Sequence, residues 1–161
     1  MPGIKKTYPD NESYAVAAMT KLFPEESKKD ALILHCNETR SGWFENRGSA
    51  GFLFHPFPYL AQVAPVNTLV VRDLDGDGHP DIILAGNESQ ITVRTGSEDA
   101  SYGLVLINDG HGNFTPLMPT ASGLILDGDV RDLKLVHTPG GMVLLVAIND
   151  QPVKAYHLHT R

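Results

Sequence analysis

The chain has 161 residues, 42% of them apolar and 20% charged, with a net charge of −6. That balance fits one globular domain, or a piece of a larger one, and excludes a disordered chain, while the acidic surplus argues against nucleic acid, which needs a basic face. A single cysteine, Cys36, excludes an intrachain disulfide framework and a cysteine zinc cluster, and no run of about 18 apolar residues is present to span a membrane.

Residues 1–13, MPGIKKTYPDNES, are polar and contain proline. They read as an irregular lead-in and lack the apolar core of a signal peptide. Residues 12–30 hold the only helical pattern. Tyr14, Val16, Ala17, Met19 and Leu22 make an uneven apolar face, Pro24 ends or kinks the run, and PEESKKD adds a short second turn. Residues 1–30 are therefore expected to be a lead-in segment with a short helix.

After Asp30 short apolar runs alternate with Gly, Asn, Asp and Pro clusters. Strands are predicted at ALILHC, GWFEN, FLFHP, NTLVVRD, DIILAG, QITVRT, YGLVLIN, NFTPLM, VRDLKLV, GMVLLVAI and VKAYHLH. Turn signals separate them and no further helical pattern interrupts them, so the class is mostly β and antiparallel rather than βαβ. Cys36, inside ALILHC, is expected to pack as a small apolar residue.

The strands repeat. In 44-FENRGSAGFLFHPFP-58 and 106-LINDGHGNFTPLMP-119, Asn46 matches Asn108, Gly48 matches Gly110 and Phe52 matches Phe114, each 62 residues apart. The stretches 69-LVVRDLDGDGHPDIILAGN-87 and 133-LKLVHTPGGMVLLVAIN-149 share the order strand, loop, apolar strand, Asn. ALILHCNE resembles DIILAGNE. The expected units are about 31–87 and 88–149 with a partial tail at 150–161, roughly two and a half copies of a four-stranded blade-like unit. Such units bury their faces against neighbours, so self-association or further units of a parent chain are expected to cover the flanks.

In 73-DLDGDGHPD-81, aspartates occupy the first, third, fifth and ninth places. Gly76 and Gly78 allow the loop to curl with positive φ. Asp73, Asp75, Asp77 and Asp81, with the backbone carbonyl of His79, form a hard oxygen set suited to Ca²⁺. A calcium helix-loop-helix would need Glu at the twelfth place, where Leu84 stands in a strand-like run. The site is thus strand–loop–strand, against the plainer reading of an acidic turn without metal.

That pattern, followed by LAGN and accompanied by N-x-G turns, resembles FG-GAP or VCBS-type repeats, relatives of the integrin α-subunit propeller. The resemblance covers roughly residues 31–159 and is most specific over 44–87. It implies propeller-blade units, structural Ca²⁺ on Asp73, Asp75, Asp77, Asp81 and the His79 carbonyl, and a partial propeller, since a full one has about seven blades. It further implies a C-terminal fragment of a large secreted bacterial repeat protein, with an extracellular or periplasmic setting. The second copy departs from the pattern, because HTPGG replaces the acidic loop.

The expected function is a non-catalytic calcium-binding module that binds protein or glycan or supports assembly. The alternative is part of a carbohydrate-active protein, a lectin or polysaccharide lyase. No nucleophile–base motif is legible. Among other residues, Trp43 reads as core between sheets rather than a sugar platform. His157 and His159 read as a solvent-facing pair rather than metal ligands, and Asp127, Asp129 and Asp132 as turn residues and a strand start.

Overall fold

The computed structural model describes residues 2–23, 25–91 and 96–159. It divides into two compact units, Met1–Thr39 and Arg40–Arg161.

The first unit carries short helical turns: α1 (Pro2–Thr7), α2 (Asn11–Ala15), α3 (Met19–Leu22) and α4 (Glu25–Lys28). The lead-in is therefore partly helical, and the predicted single helix is broken. Asp10 caps α2 by accepting the Ser13 N–H at 2.7 Å. No residue of α2 or α3 is buried, and short helices without a packed face do not propagate. The predicted strand ALILHC does not form: residues 31–39 have no regular structure, and Leu32, Ile33 and Leu34 are exposed. An apolar run without a ladder partner has nothing to hold it extended as a strand. Cys36 is likewise exposed, its thiol donating to the Glu38 carbonyl at 3.3 Å, so it does not pack as a small apolar residue.

The second unit is mostly β. Strands β1 (Gly42–Asn46) and β2 (Phe52–Pro56) form a hairpin. Strands β3 (Val66–Arg72), β4 (Asp81–Gly86), β5 (Leu104–Asn108) and β6 (Phe114–Leu117) form a four-stranded antiparallel sheet in chain order. After a helical turn, α5 (Pro119–Ser122), strands β7 (Val130–Thr138), β8 (Gly141–Ile148) and β9 (Lys154–His157) form a three-stranded antiparallel sheet. Among the described residues the sheets stay separate and close no barrel. The predicted strand QITVRT falls largely on residues 92–95, outside the described ones.

The two larger ladders share a local irregularity. The β3–β4 pairing slips between Val66 and Thr68, and the β7–β8 pairing slips between Val130 and Asp132, the equivalent place. The Asn87 N–H donates to the Pro65 carbonyl at 3.1 Å, and the Asn149 N–H to the Asp129 carbonyl at 2.9 Å. A register shift of this kind bends the strand and increases its local twist. The expected units do not map one to a sheet: β3 and β4 fall in the first expected unit and β5 and β6 in the second, while β9 falls in the expected tail.

The four-stranded sheet is the middle layer. One face, with Ile83, Ala85 and Val105, packs against Leu133, Leu144 and Val146 of the three-stranded sheet. The other, with Ile82, Leu84, Leu104 and Leu106, is covered by Phe57 and Ala61, with Trp43 and Phe114 beside them. Every residue of β4 is buried, and a strand covered on both faces has no polar alternation, which explains the unbroken apolar run DIILAG. Trp43 stacks on His55 at 4.4 Å and meets the edge of Phe114 at 6.4 Å, in line with the core reading.

Candidate metal centre

The β3–β4 loop is built by its own carboxylates. Asp73 accepts the Gly76 N–H on Oδ1 at 2.7 Å and the Gly78 N–H on Oδ2 at 3.0 Å. Asp75 Oδ1 accepts the Asp77 N–H at 3.2 Å. Gly76 and Gly78 have φ of 84° and 88°, where a side chain would be strained. The loop thus curls around its acids, as the glycine spacing predicts.

Three of the acids converge. Asp73, Asp75 and Asp81 each offer a carboxylate oxygen, and these lie within 4.8 Å of one another. Asp77 is not in this group. Its Oδ1 accepts the His79 N–H at 2.7 Å, which holds the carboxylate over the next turn. The imidazole of His79 lies against Gly110, where a Cβ would come within 2.5 Å of Nε2. The structure therefore brings together three of the four predicted side-chain ligands.

Asp81 anchors the cluster. It is fully buried, accepting the Leu74 N–H on Oδ2 at 2.8 Å and the Asn108 N–H on Oδ1 at 2.9 Å. Asn108 returns a bond from Nδ2 to the Pro80 carbonyl at 3.1 Å. Its Oδ1 accepts the N–H groups of Gly110 and Gly112 at 3.1 and 3.3 Å. The β5–β6 turn is thereby tied to the acidic loop. Asn108 was legible only as a repeat marker; its counterpart Asn46 makes the matching turn bond to the Gly48 N–H at 2.9 Å.

The cluster can take a cation. A carboxylate has about four lone-pair directions, and the backbone donors use two on Asp73, one on Asp75 and two on Asp81. Among the described residues no Lys, Arg or His forms an ion pair with any of the four aspartates. Three converging carboxylates without a basic partner suit a hard, oxygen-seeking divalent ion such as Ca²⁺ or Mg²⁺.

The other acidic run does not converge in this way. Asp129 is buried and accepts both the N–H and the hydroxyl of Ser89, at 3.0 and 2.8 Å. Asp132 accepts the Leu133 N–H at 2.9 Å. Both hold strand starts in place. His157 and His159 are exposed, with ring centroids 6.5 Å apart. In the β5–β6 turn, the Asn113 side chain and the His111 N–H bond Asp109 and hold its carboxyl below the usual aspartate value.

Beside the loop a cleft of about 900 Å³ opens between the two larger sheets. Its lining includes Arg72, Asp73 and Asp75 together with Ile107, Leu117 and Tyr156. Among the described residues no helix is long and apolar enough to cross a membrane. No family model, no curated protein and no solved structure matches the chain.

Proposed function

We propose that this chain is a non-catalytic β-repeat module whose acidic loop holds a structural Ca²⁺. The observation that carries the reading is the convergence of Asp73, Asp75 and Asp81 within 4.8 Å at a bend between two adjacent strands. An ion there would neutralise charge that has no basic partner among the described residues, and would join the start of β4 to the end of β3. Folding and metal binding would then be linked, because the site is assembled only in the folded chain.

The blade-like reading and the kinship to FG-GAP or VCBS repeats are part of this proposal. Their support is the four-stranded meander β3–β6 and the bulge repeated in β7–β8. A loop with three convergent carboxylates suits the weak, extracellular class of calcium site, with Kd of about 10⁻⁴–10⁻³ M. That favours an extracellular or periplasmic setting; a protein or glycan partner follows from the proposed repeat kinship alone.

The carbohydrate-active reading draws less support. Its expected mark is an aromatic and acidic cleft away from the calcium loop. In the cleft beside the loop, among the described residues Tyr156 is the one tyrosine, tryptophan or phenylalanine, its hydroxyl donates to the Ile125 carbonyl at 2.9 Å, and the acids are Asp73 and Asp75 themselves.

Thermal unfolding in saturating Ca²⁺ and in chelator tests the proposal. The expected result is a higher midpoint with Ca²⁺, lost in Asp75→Asn. Equal midpoints for the unsubstituted chain would sink it.

A further inference from the structure

The stacking of the sheets defines two kinds of face. The middle sheet turns Ile82, Leu84, Leu104 and Leu106 toward the β1–β2 side. It turns Ile83, Ala85 and Val105 toward the three-stranded sheet. The repeat carries these faces onto the two end layers. Superposing Asn108 on Asn46 places Leu106 on Phe44 and Val105 on Trp43. Superposing Asn87 on Asn149 places Leu84 on Val146, Ile83 on Leu145 and Ala85 on Ala147.

The burial follows this mapping. Trp43, the counterpart of Val105, packs toward the middle sheet, and so does Val146, the counterpart of Leu84. The alternation of a strand then sends their neighbours outward. On the hairpin, Phe44 and Phe52 are 65% and 70% exposed, and Phe54 lies 5.2 Å from Phe44. On the three-stranded sheet, Val136, Val143, Leu145 and Ala155 share the outward face with the polar Lys134 and His157, through the pairs Lys134↔Leu145, Val136↔Val143, Val143↔His157 and Leu145↔Ala155. Val136 is 36% exposed and Leu145 is half-buried.

By strand position, the two outward faces correspond to the two halves of an interface that the chain already makes within itself. The hairpin end is of the Leu104/Leu106 kind; the β7–β9 end is of the Ile83/Val105 kind. We propose that a second copy of this chain stacks on the first head to tail, the Phe44/Phe52 face of one on the Val136/Leu145/Ala155 face of the other. The occupant is a second copy because the internal contacts pair a face of one kind with a face of the other, and each copy carries one of each uncovered. Such an interface is heterologous: each pairing leaves one face of each kind free, so assembly proceeds to a ring or a filament. This inference rests on the stacked sheets alone and is independent of the metal.

Light scattering on the size-fractionated protein, over a wide concentration range, tests it. The unsubstituted chain is expected to rise above the monomer mass of 17.5 kDa. Phe52→Glu and Ala155→Glu alter exposed residues at opposite ends, and each alone should remain monomeric. Their equimolar mixture should form a one-to-one pair and stop there, because one intact face of each kind is left to meet the other. Circular dichroism of each variant checks that its fold is retained. An unsubstituted chain that stays monomeric throughout overturns the proposal. So does loss of assembly in only one variant, which would indicate a face pairing with itself, or a mixture that fails to pair.

Discussion

Asp81 accepts the backbone N–H of Asn108 at 2.9 Å, so the first residue of β4 is bonded to the last residue of β5 from inside the sheet. The same carboxylate accepts the Leu74 N–H at 2.8 Å. One buried anion therefore closes both the acidic loop and the turn beside it. This makes Asp81 the acid whose loss should disturb the fold even without a metal. Asp81→Ala would leave the buried Asn108 N–H without an acceptor, at about 1–3 kcal/mol, and the part-buried Leu74 N–H as well, at a smaller cost. Urea unfolding in chelator is expected to give a loss of about 2–4 kcal/mol on that basis. Asp81→Asn keeps an acceptor oxygen and should lose less.

The surface acids should behave in the opposite way. Asp75 is exposed, and its bond to the Asp77 N–H lies within a solvated turn. Asp75→Asn is expected to leave stability in chelator unchanged to within about 0.5 kcal/mol, as for other surface changes, and to abolish the gain from Ca²⁺. Asp77 is outside the convergent group. Asp77→Asn should keep more of the Ca²⁺-induced shift in midpoint than Asp75→Asn does. Equal losses from the two would place Asp77 among the ligands, as the sequence spacing alone suggests.

The difference between Asp77 and its neighbours marks how far the sequence could be read. Spacing and glycines identify a curled acidic loop, because φ and hydrogen-bonding rules act over a few residues. They do not say which carboxylate turns outward, which here is decided by the His79 N–H. The repeat was legible from Asn46 and Asn108, yet not the role of Asn108 as the partner of Asp81, which requires the pairing of β4 with β5. The strands that formed are those with a ladder partner. ALILHC has the same apolar texture as DIILAG, but β4 lies between β3 and β5 while residues 31–36 pair with no strand among the described residues. Texture shows a capacity to pair; topology decides whether pairing occurs.

Asn87 is a second residue whose role is tertiary. It has φ of 82°, in the left-handed region that Asn tolerates better than most residues. Its Nδ2 donates to the Ser101 carbonyl at 2.7 Å and to the Gly128 carbonyl at 3.2 Å, and its Oδ1 accepts the Ser101 N–H at 3.1 Å. The side chain, almost wholly buried, thus ties the end of β4 to the approaches of β5 and β7. Asn87→Ala should cost about 2–4 kcal/mol, combining lost bonds with a strained φ. Asn87→Gly relieves the backbone alone, so a loss within about 1 kcal/mol of the Ala variant would assign the effect to the bonds. Chemical denaturation of the two side by side makes the comparison.

The pairing of Glu88 with Arg131 predicts a pH dependence of definite sign. The two meet at 3.0 Å, joining the segment after β4 to β7. The hydrogen bond from Arg131 holds the Glu88 carboxyl below the ordinary glutamate value of 4.5. A carboxyl lowered in the folded state binds its proton more readily when unfolded, so the contribution is fully present above about 4.5. It is lost as pH falls through the lowered folded value. Removing the partner with Arg131→Leu should therefore flatten the acid limb of the stability curve below about pH 4.5, with the difference between variant and parent shrinking as pH drops. Arg131 is exposed to solvent and Glu88 partly so, and added salt should therefore shrink the same difference at neutral pH. Denaturation midpoints across the acid range, at low and high ionic strength, read both effects. A variant whose offset from the parent grew toward acid pH would contradict the assigned sign.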